Sequence, residues 1–261
     1  MRTVLLAACL SFATLAAGAP PSVYVEDLTW PEVRDAIAGG ATTAIYYAGS
    51  TEQNGPHMVT GKHNFVARHV AGRIASVLGN ALVYPVMPFA PTGSASEKSG
   101  HMRFPGSVSV SDATFSAVAR DVAESARAAG FRNIVLMGDH GGGQKSLEAV
   151  AASLDAQWGP AGTHVYYIPD VYFATEQRVA EFLHARGLPA GAHAGIPDTS
   201  ELMAIDTAGR WIRRDRMQAG TASNGVDGDP RQSSAELGRM FIDIKVDAAV
   251  AQIRKRIWAG G

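Results

Sequence analysis

Residues 49–64 form a loop-like segment with the side chains most often found around catalytic metal ions. Glu52, His57 and His63 fall within this stretch, among several glycine and proline residues. Zinc accepts carboxylate oxygens and imidazole nitrogens, so these three side chains could supply several ligands to a divalent ion. The signal is weak when taken alone, because most loop histidines are only solvated.

Residues 138–144 (GDHGGGQ) place His140 between a hydrophobic run and a predicted helix. The glycines that follow, Gly141, Gly142 and Gly143, would let the backbone approach a ligand closely. Free N–H groups at the start of the next helix favour an anion or a developing oxyanion. The spacing fits neither of the common phosphate-binding patterns, GxGxxG and GxxxxGK followed by serine or threonine, so we predict a catalytic loop.

Residues 191–201 form a third candidate segment, in which His193 precedes two carboxylates. Asp198 follows this histidine by five residues, and small residues surround both. A positioned histidine with a nearby carboxylate is typical of proton transfer. Asp198 could instead be only the N-cap of a helix that begins near Ser200, and the two roles are compatible.

Residues 99–107 contain a rigid Phe-Pro-Gly turn, preceded by His101 and Arg103. These two side chains either face a substrate or are ordinary polar residues of a loop. We assign His101 to the predicted substrate-binding loops, together with the three glycines after His140.

Strand-like and helix-like segments alternate along the chain without a long linker. This alternation predicts crossover units and a mainly parallel sheet. Ligands bind outside the carboxyl ends of such strands, and two of the unusual loops follow the first and third predicted strands. The predicted strands cover residues 42–48, 81–86, 133–137 and 164–168; the predicted helices cover 64–78, 111–130, 147–158 and 233–258, with a break near 244–245 left open.

Residues 1–19 have the composition of a secretory signal peptide. Arg2 provides a positive charge, residues 4–17 are apolar, and small residues follow. The apolar run is too short for a comfortable membrane span, although an uncleaved anchor remains the alternative. We therefore expect a periplasmic or secreted protein, with residues 20–261 as a single catalytic domain and no membrane contact after cleavage.

Composition excludes several other classes of protein. The 261 residues include 23 basic and 24 acidic side chains and no basic block, so we expect no nucleic-acid partner. Cys9 is the only cysteine and lies within the predicted signal peptide, so we expect no disulfide in the mature chain.

Four motifs, in order, give the chain a resemblance to a known family. They are residues 52–57 (EQNGPH), 104–107 (FPGS), 138–143 (GDHGGG) and 193–200 (HAGIPDTS). They resemble the EQHGPH, FPGT, NGHGGN and HAGxxETS motifs of the creatininase (creatinine amidohydrolase) family. The resemblance implies a three-layer α/β/α fold and metal-dependent hydrolysis of a non-peptide C–N bond in a small, commonly cyclic amide. It also implies a homo-oligomer, often a hexamer.

The resemblance further implies a metal site, and here the sequence departs from the family. Glu52 falls on the first carboxylate ligand and His140 on the histidine of the glycine loop. His63 falls where the family has an aspartate that bridges two ions, and Asn54 where it has a histidine ligand to the second ion. A neutral imidazole has one free lone pair, and an amide oxygen is a poor replacement for imidazole. We therefore predict one divalent ion per chain, bound by Glu52, His63 and His140, with zinc favoured and iron or manganese left open.

The resemblance assigns roles to other matched residues as well. His193 falls on the family's proton-shuttling histidine and would protonate the leaving nitrogen. Asp198 would orient His193 or contact the metal ion. Asn54, His57 and Asp139 would support the ligands from outside or help to hold a second ion.

Several alternatives stay open at the level of the sequence. A second ion could be held partly by Asp198 or Asp139, or metal binding could be lost completely. The protein could be an exported binding protein that kept the fold without catalysis. It could also hydrolyse a C–O bond such as that of a lactone, because the same metal-activated water would serve.

Overall fold

Four parallel strands form the central sheet of the protein. The computed structural model describes residues 20–259, so the predicted signal peptide, residues 1–19, lies outside the described residues. The strands are Thr43–Ala48 (β1), Ala81–Val83 (β2), Asn133–Gly138 (β3) and His164–Tyr167 (β4). The α-helices are Trp30–Ala38 (α1), Lys62–Leu78 (α2), Asp112–Ala129 (α3), Gln144–Trp158 (α4), Phe173–Ala185 (α5), Ile196–Ile205 (α6) and Ala235–Ala259 (α7).

Helices cover both faces of this sheet. The strand order is β2-β1-β3-β4 with every pair parallel, which confirms the predicted crossover units. Successive side chains of a strand point to opposite faces, so Ile45 and Tyr47 pack with α2 and α7, whereas Ala44 and Tyr46 pack with α3 and α4. All six residues of β1 are buried, as expected for a strand covered on both sides. The predicted three-layer α/β/α fold is confirmed.

Local chemistry sets several of the element boundaries. The Ser111 hydroxyl accepts a hydrogen bond from the N–H of Thr114 at 3.1 Å, so Ser111 is the N-cap of α3 as predicted. Gly130 ends that helix with φ of 108°, a left-handed conformation that glycine adopts without steric cost. The strand predicted over 81–86 ends at Val83, shortly before Pro85, which has no N–H to donate to a neighbouring strand.

The C-terminal helix α7 is continuous, so the break considered near residues 244–245 does not occur. Lys245 interrupts the apolar face that Phe241, Ile242 and Val246 present to the core. The lysine is nevertheless buried, with only 8% of its surface exposed, because its ammonium group forms ion pairs inside the protein. Among residues 20–259, no helix is long and apolar enough to cross a membrane.

The sheet brings the predicted site loops together at one edge. Ala48 and Gly138 are register partners at the carboxyl ends of β1 and β3. The loop that carries Glu52 follows the first of these strands, and the loop that carries His140 follows the second. Parallel pairing therefore places two segments far apart in sequence side by side.

Candidate metal site

Glu52 lies at the centre of a cluster of histidines. Its side chain is 0% exposed, and its Oε2 is 2.8 Å from Nε2 of His140. Its Oε1 is 3.7 Å from Nε2 of His101. One ligand atom from each of these three residues lies within 4.8 Å of the others. Two imidazoles and a carboxylate are a donor set that fits a catalytic zinc ion or a related divalent ion, so the chemistry of the residues fits the implied metal.

Electrostatics prepare this cluster for a cation. Burial acts to raise the pKa of the Glu52 carboxyl, but hydrogen bonds to His140 and His63 outweigh it and hold the pKa well below its ordinary value. Burial lowers the pKa of His101 to about 4. Glu52 is therefore ionised and His101 is neutral at neutral pH, and these are the forms that bind metal.

His63, which we predicted to be a ligand, lies beside the cluster and is engaged at both ring nitrogens. Nδ1 is 2.9 Å from Oδ2 of Asp139. Nε2 is 3.2 Å from Oε1 of Glu52 and 2.9 Å from Nζ of Lys62. The structure thus groups His101, rather than His63, with Glu52 and His140. Ligation by His63 stays a prediction.

Two buried lysines that the sequence analysis did not single out adjoin the site. Lys62 Nζ donates to Oδ1 of Asp198 at 2.8 Å. Lys245 Nζ donates to Oδ1 of Asp139 at 2.9 Å and to Oε2 of Glu201 at 2.8 Å. The signals in the sequence were slight: Lys62 immediately precedes His63, and Lys245 interrupts the apolar face of a helix.

His193 faces the cluster from the loop that precedes α6. Its Nε2 donates to the carbonyl oxygen of Gln53 at 2.9 Å, which leaves Nδ1 directed toward Glu52, 3.8 Å from Oε1. The next residue, Ala194, has φ of 54°, a strained value for alanine. Its N–H donates to Oδ2 of Asp198 at 2.7 Å, so Asp198 holds the backbone that positions His193.

Asp198 is the third residue of α6, because that helix begins at Ile196 rather than near Ser200. It is therefore not the N-cap, a position that Gly195 takes. Its carboxylate instead joins the N–H of Ala194 to the ammonium group of Lys62.

The glycine loop supports His140 through its backbone. The N–H of Gly142 donates to Nδ1 of His140 at 3.0 Å, so that N–H orients the ring instead of facing a substrate. A Cβ atom at Gly142 would lie 2.0 Å from the carbonyl oxygen of Pro91, which explains the need for glycine. Gly143 has φ of 88° at the start of α4, and Gly141 lines the cavity described below. An oxyanion role for this loop stays a prediction.

Asn54 and His57 are buried and hold the first loop in place. The side-chain amide of Asn54 donates to the carbonyl oxygen of Glu52 at 2.9 Å. Nε2 of His57 is 2.9 Å from the hydroxyl of Thr199, in α6. These contacts connect the loop that carries Glu52 to its own backbone and to the helix that carries Asp198.

A cavity of about 590 Å³ opens above the cluster. Glu52, His101, His140 and His193 line it. Residues of α5 and of the segment before it also line it: Val171, Tyr172, Thr175, Glu176, Val179 and Leu183. This size and this mixture of apolar and polar lining residues are typical of small-molecule sites.

A family model described as Creatininase, creatinine amidohydrolase, matches residues 26–253. The chain belongs to the creatininase family. It is accordingly a metal-dependent amidohydrolase, and the family predicted from the four motifs is confirmed.

Individual creatininase-family relatives match different shares of the chain. A creatinine amidohydrolase from Pseudomonas putida is 32% identical over 119 residues, which is 46% of this chain and 45% of that protein. A mycofactocin precursor peptide peptidase from Mycolicibacterium smegmatis is 27% identical over 229 residues, 79% of this chain and 82% of that protein.

Solved creatininase structures share the fold. A mutant creatininase described as the Zn-Zn type superposes with a TM-score of 0.75 and a manganese creatininase with 0.74. Each is 23% identical and covers 90% of this chain and 98% of its own. Solved creatininases therefore include a zinc form and a manganese form.

The acidic side of the site should make the stability of this creatininase-family protein depend on pH. Burial acts to raise the pKa of Asp139 and of Asp198, but Lys245 and Lys62 respectively, together with neighbouring histidines, hold both values below the ordinary range. An unfolded aspartate has a pKa of about 3.9, so the unfolded chain takes up protons first as the pH falls. The stabilisation is therefore complete above about pH 5, well above the unfolded pKa, and is lost progressively as the pH falls from there.

We expect the urea midpoint of the metal-free protein to fall steadily between about pH 5 and pH 3. Urea unfolding followed by circular dichroism at a series of pH values measures this. The variant Asp198→Asn should show a shallower fall, because it lacks one of the groups concerned. A midpoint that is flat or rises over this range would contradict the assignment.

Proposed function

We propose that the protein hydrolyses the C–N bond of a small amide with a single divalent ion, held by Glu52, His101 and His140. The observation that supports this most directly is the approach of these three side chains to one another in the lining of the cavity. When bound, the ion lowers the pKa of water from about 15.7 toward 7 and polarises the substrate carbonyl. Zinc is the favoured ion, with manganese and iron as alternatives.

His193 is the proton-transfer residue in this proposal. Its hydrogen bond to the carbonyl oxygen of Gln53 leaves Nδ1 as the free nitrogen, directed at the cluster. Burial lowers the pKa of His193, so the ring is neutral before reaction and can accept a proton from the attacking water. The same nitrogen then delivers a proton to the leaving amine. Asp198 positions His193 through the N–H of Ala194.

The substrate class follows from the cavity and from the relatives. The cavity volume of about 590 Å³ suits a small cyclic amide and leaves room for a longer amide. One relative is named a creatinine amidohydrolase and another a precursor peptide peptidase. We favour a small, cyclic amide. Export to the periplasm or medium and assembly into a homo-oligomer belong to the same proposal.

A substrate panel with a matched variant tests this function. Protein reconstituted with zinc or manganese should hydrolyse at least one cyclic amide, creatinine being one of those offered, in preference to lactones and short peptides. His193→Ala should keep its metal content, because the residue is outside the ligand set, and should lose about 10²-fold or more in turnover. Elemental analysis and product release measure the two effects.

Each other outcome of the panel has a definite meaning. Unchanged turnover in His193→Ala would remove the proton-transfer role. Faster hydrolysis of lactones or peptides would show that cyclic amides are not the preferred substrate class. Thermal stabilisation by panel compounds without any turnover would favour a binding protein that has lost catalysis.

A further inference from the structure

Two carboxylates in the lining of the cavity have no cation beside them. Lysine and arginine contribute a single residue to this lining, Lys245, and its ammonium group already joins Asp139 to Glu201. Glu176 and Asp227 also line the cavity, and they take part in none of the ion pairs formed within residues 20–259. A positively charged group on a ligand would therefore meet negative charge that the protein itself does not compensate.

Glu176 is connected to the metal-binding cluster by one tyrosine. Tyr172 is the N-cap of α5 and Glu176 follows it by four residues, so the two side chains share one face of the first helical turn. A Cβ atom at Gly141 would lie 3.0 Å from the hydroxyl oxygen of Tyr172, which places this hydroxyl beside the residue that follows His140. The same hydroxyl is a hydrogen-bond neighbour of the Glu176 carboxyl. A substrate whose carbonyl lies at the cluster can therefore extend along Tyr172 to Glu176.

The surroundings of Glu176 are short of positive charge. Burial, together with the charges of Asp198 and Asp139, raises the pKa of Glu176, although the Tyr172 hydroxyl and Lys245 act to lower it. Part of the Glu176 side chain is still exposed, so a ligand can reach it. An ammonium group placed here would form a charge-assisted hydrogen bond without breaking an existing ion pair, whereas a carboxylate would be repelled.

We propose that Glu176 selects substrates that carry a protonated amine, so that the protein acts on amides with an ammonium group on a short arm. The inference rests on the proposed amide hydrolysis and narrows its substrate class. The amide carbonyl lies at the metal-binding cluster, and the ammonium group lies against Glu176. Neutral amides bind more weakly, and amides with a carboxylate at the same place bind most weakly.

Three lactams that differ in charge test the proposal. Each is a 2-pyrrolidinone with an arm at C4, and the arm is aminoethyl, propyl or carboxymethyl, which at about pH 8 is positive, neutral or negative. Isothermal titration of zinc-loaded wild type measures the dissociation constants, and product release measures turnover. The aminoethyl lactam should bind about 5-fold more tightly than the propyl lactam, which is the contribution of a favourable exposed ion pair. The carboxymethyl lactam should bind more weakly than the propyl lactam.

Variants of Glu176 test whether this residue causes the preference. Glu176→Gln should abolish the difference between the aminoethyl and propyl lactams, because glutamine keeps the size of the side chain and removes its charge. Glu176→Arg should make the carboxymethyl lactam the tightest of the three. Glu181→Gln, at an exposed position of the same helix outside the cavity lining, is the matched control and should keep the wild-type order. Asp227→Asn, at the other unpaired carboxylate, should also keep that order.

The outcomes separate this inference from the proposed function. Equal binding of the three lactams by wild type, a preference that survives in Glu176→Gln, or one that is lost in Asp227→Asn instead would overturn the inference and leave amide hydrolysis standing. Selective binding of the aminoethyl lactam without turnover of any amide would support the inference and contradict the proposed function. Wild type that bound none of the three lactams would overturn the inference, whereas its hydrolysis of another amide would still support the proposed function.

Ionic strength provides a test on the wild type alone. The preference for the aminoethyl lactam should shrink as the salt concentration rises from about 0.01 M to about 1 M, because the Debye length falls from about 30 Å to about 3 Å. A preference that stayed constant over this range would show that the charge of Glu176 is not its cause.

Discussion

Replacing Glu52 by glutamine should abolish metal binding and reduce turnover by at least about 10³-fold, the largest effect on activity that we expect from one substitution. Glutamine keeps the shape of the side chain but removes its negative charge and places a hydrogen-bond donor at one of the two oxygen positions. One oxygen of Glu52 is 2.8 Å from His140, and the other is 3.2 Å from His63 and 3.7 Å from His101. An amide at this place would leave the cluster without its only carboxylate.

The effect on affinity should exceed that of losing a supporting contact. Loss of a hydrogen-bond partner behind a metal ligand usually weakens binding by about 10–100-fold, so loss of the ligand itself should weaken it further. Isothermal titration of metal-free protein with zinc measures the affinity, and product release measures turnover. Glu97→Gln, a charge change on an exposed loop, is the matched control and should resemble wild type. A Glu52→Gln variant that retained an ion and activity would show that the metal site lies elsewhere.

Replacing Lys245 by methionine should destabilise the protein by about 3–5 kcal/mol, the largest expected effect on stability. The ammonium group of this lysine lies between two buried carboxylates, 2.9 Å from Asp139 and 2.8 Å from Glu201. Methionine fills a similar volume but leaves both carboxylates without their cation. Breaking a buried ion pair at one partner is costly because the remaining charge stays desolvated.

Protonation of one of the two carboxylates should reduce the loss of stability in Lys245→Met. Burial raises the pKa of Glu201 even with Lys245 present, so this carboxyl is the one expected to become neutral in the variant. The destabilisation should therefore be smaller at pH 5 than at pH 8. Urea unfolding of the metal-free proteins at both pH values measures the free energies. Lys255→Met, at an exposed position of the same helix, should change stability by no more than about 0.5 kcal/mol.

A loss below about 1 kcal/mol in Lys245→Met would contradict the buried ion-pair assignment, because it would place the lysine in the range of exposed pairs. A loss of the expected size that did not depend on pH would support the ion pair but contradict the expected protonation of Glu201.

Short-range patterns were enough to predict the architecture. The alternation of β-rich runs with helical periodicity predicted a parallel sheet, and the observed strand order confirms it. Ser111 and Gly130 were readable as helix boundaries because a cap and a left-handed glycine act over three or four residues. The four motifs predicted the creatininase family, and the match over residues 26–253 confirms it.

The sequence was less informative about which side chains meet. His63 looked like a ligand because it aligned with one, whereas His101 looked like a substrate-loop residue. Distances in the structure group His101 with Glu52 and His140, because the loop that precedes α3 folds over the carboxyl end of the sheet. His101 lies 49 residues after Glu52 in the chain, and no local periodicity or spacing predicts that the two side chains approach each other.

The buried lysines show most clearly why the sequence alone could not predict every contact of the site. By itself, the sequence determined the fold, the family and the loops in which the chemistry must lie, because these depend on local pattern and on motifs. Only the tertiary structure decided that Lys245 bridges Asp139 and Glu201 and that Lys62 lies between His63 and Asp198. Charges attract across any separation in sequence, so the partners of a buried ion are set by the packing of the helices that bring them together.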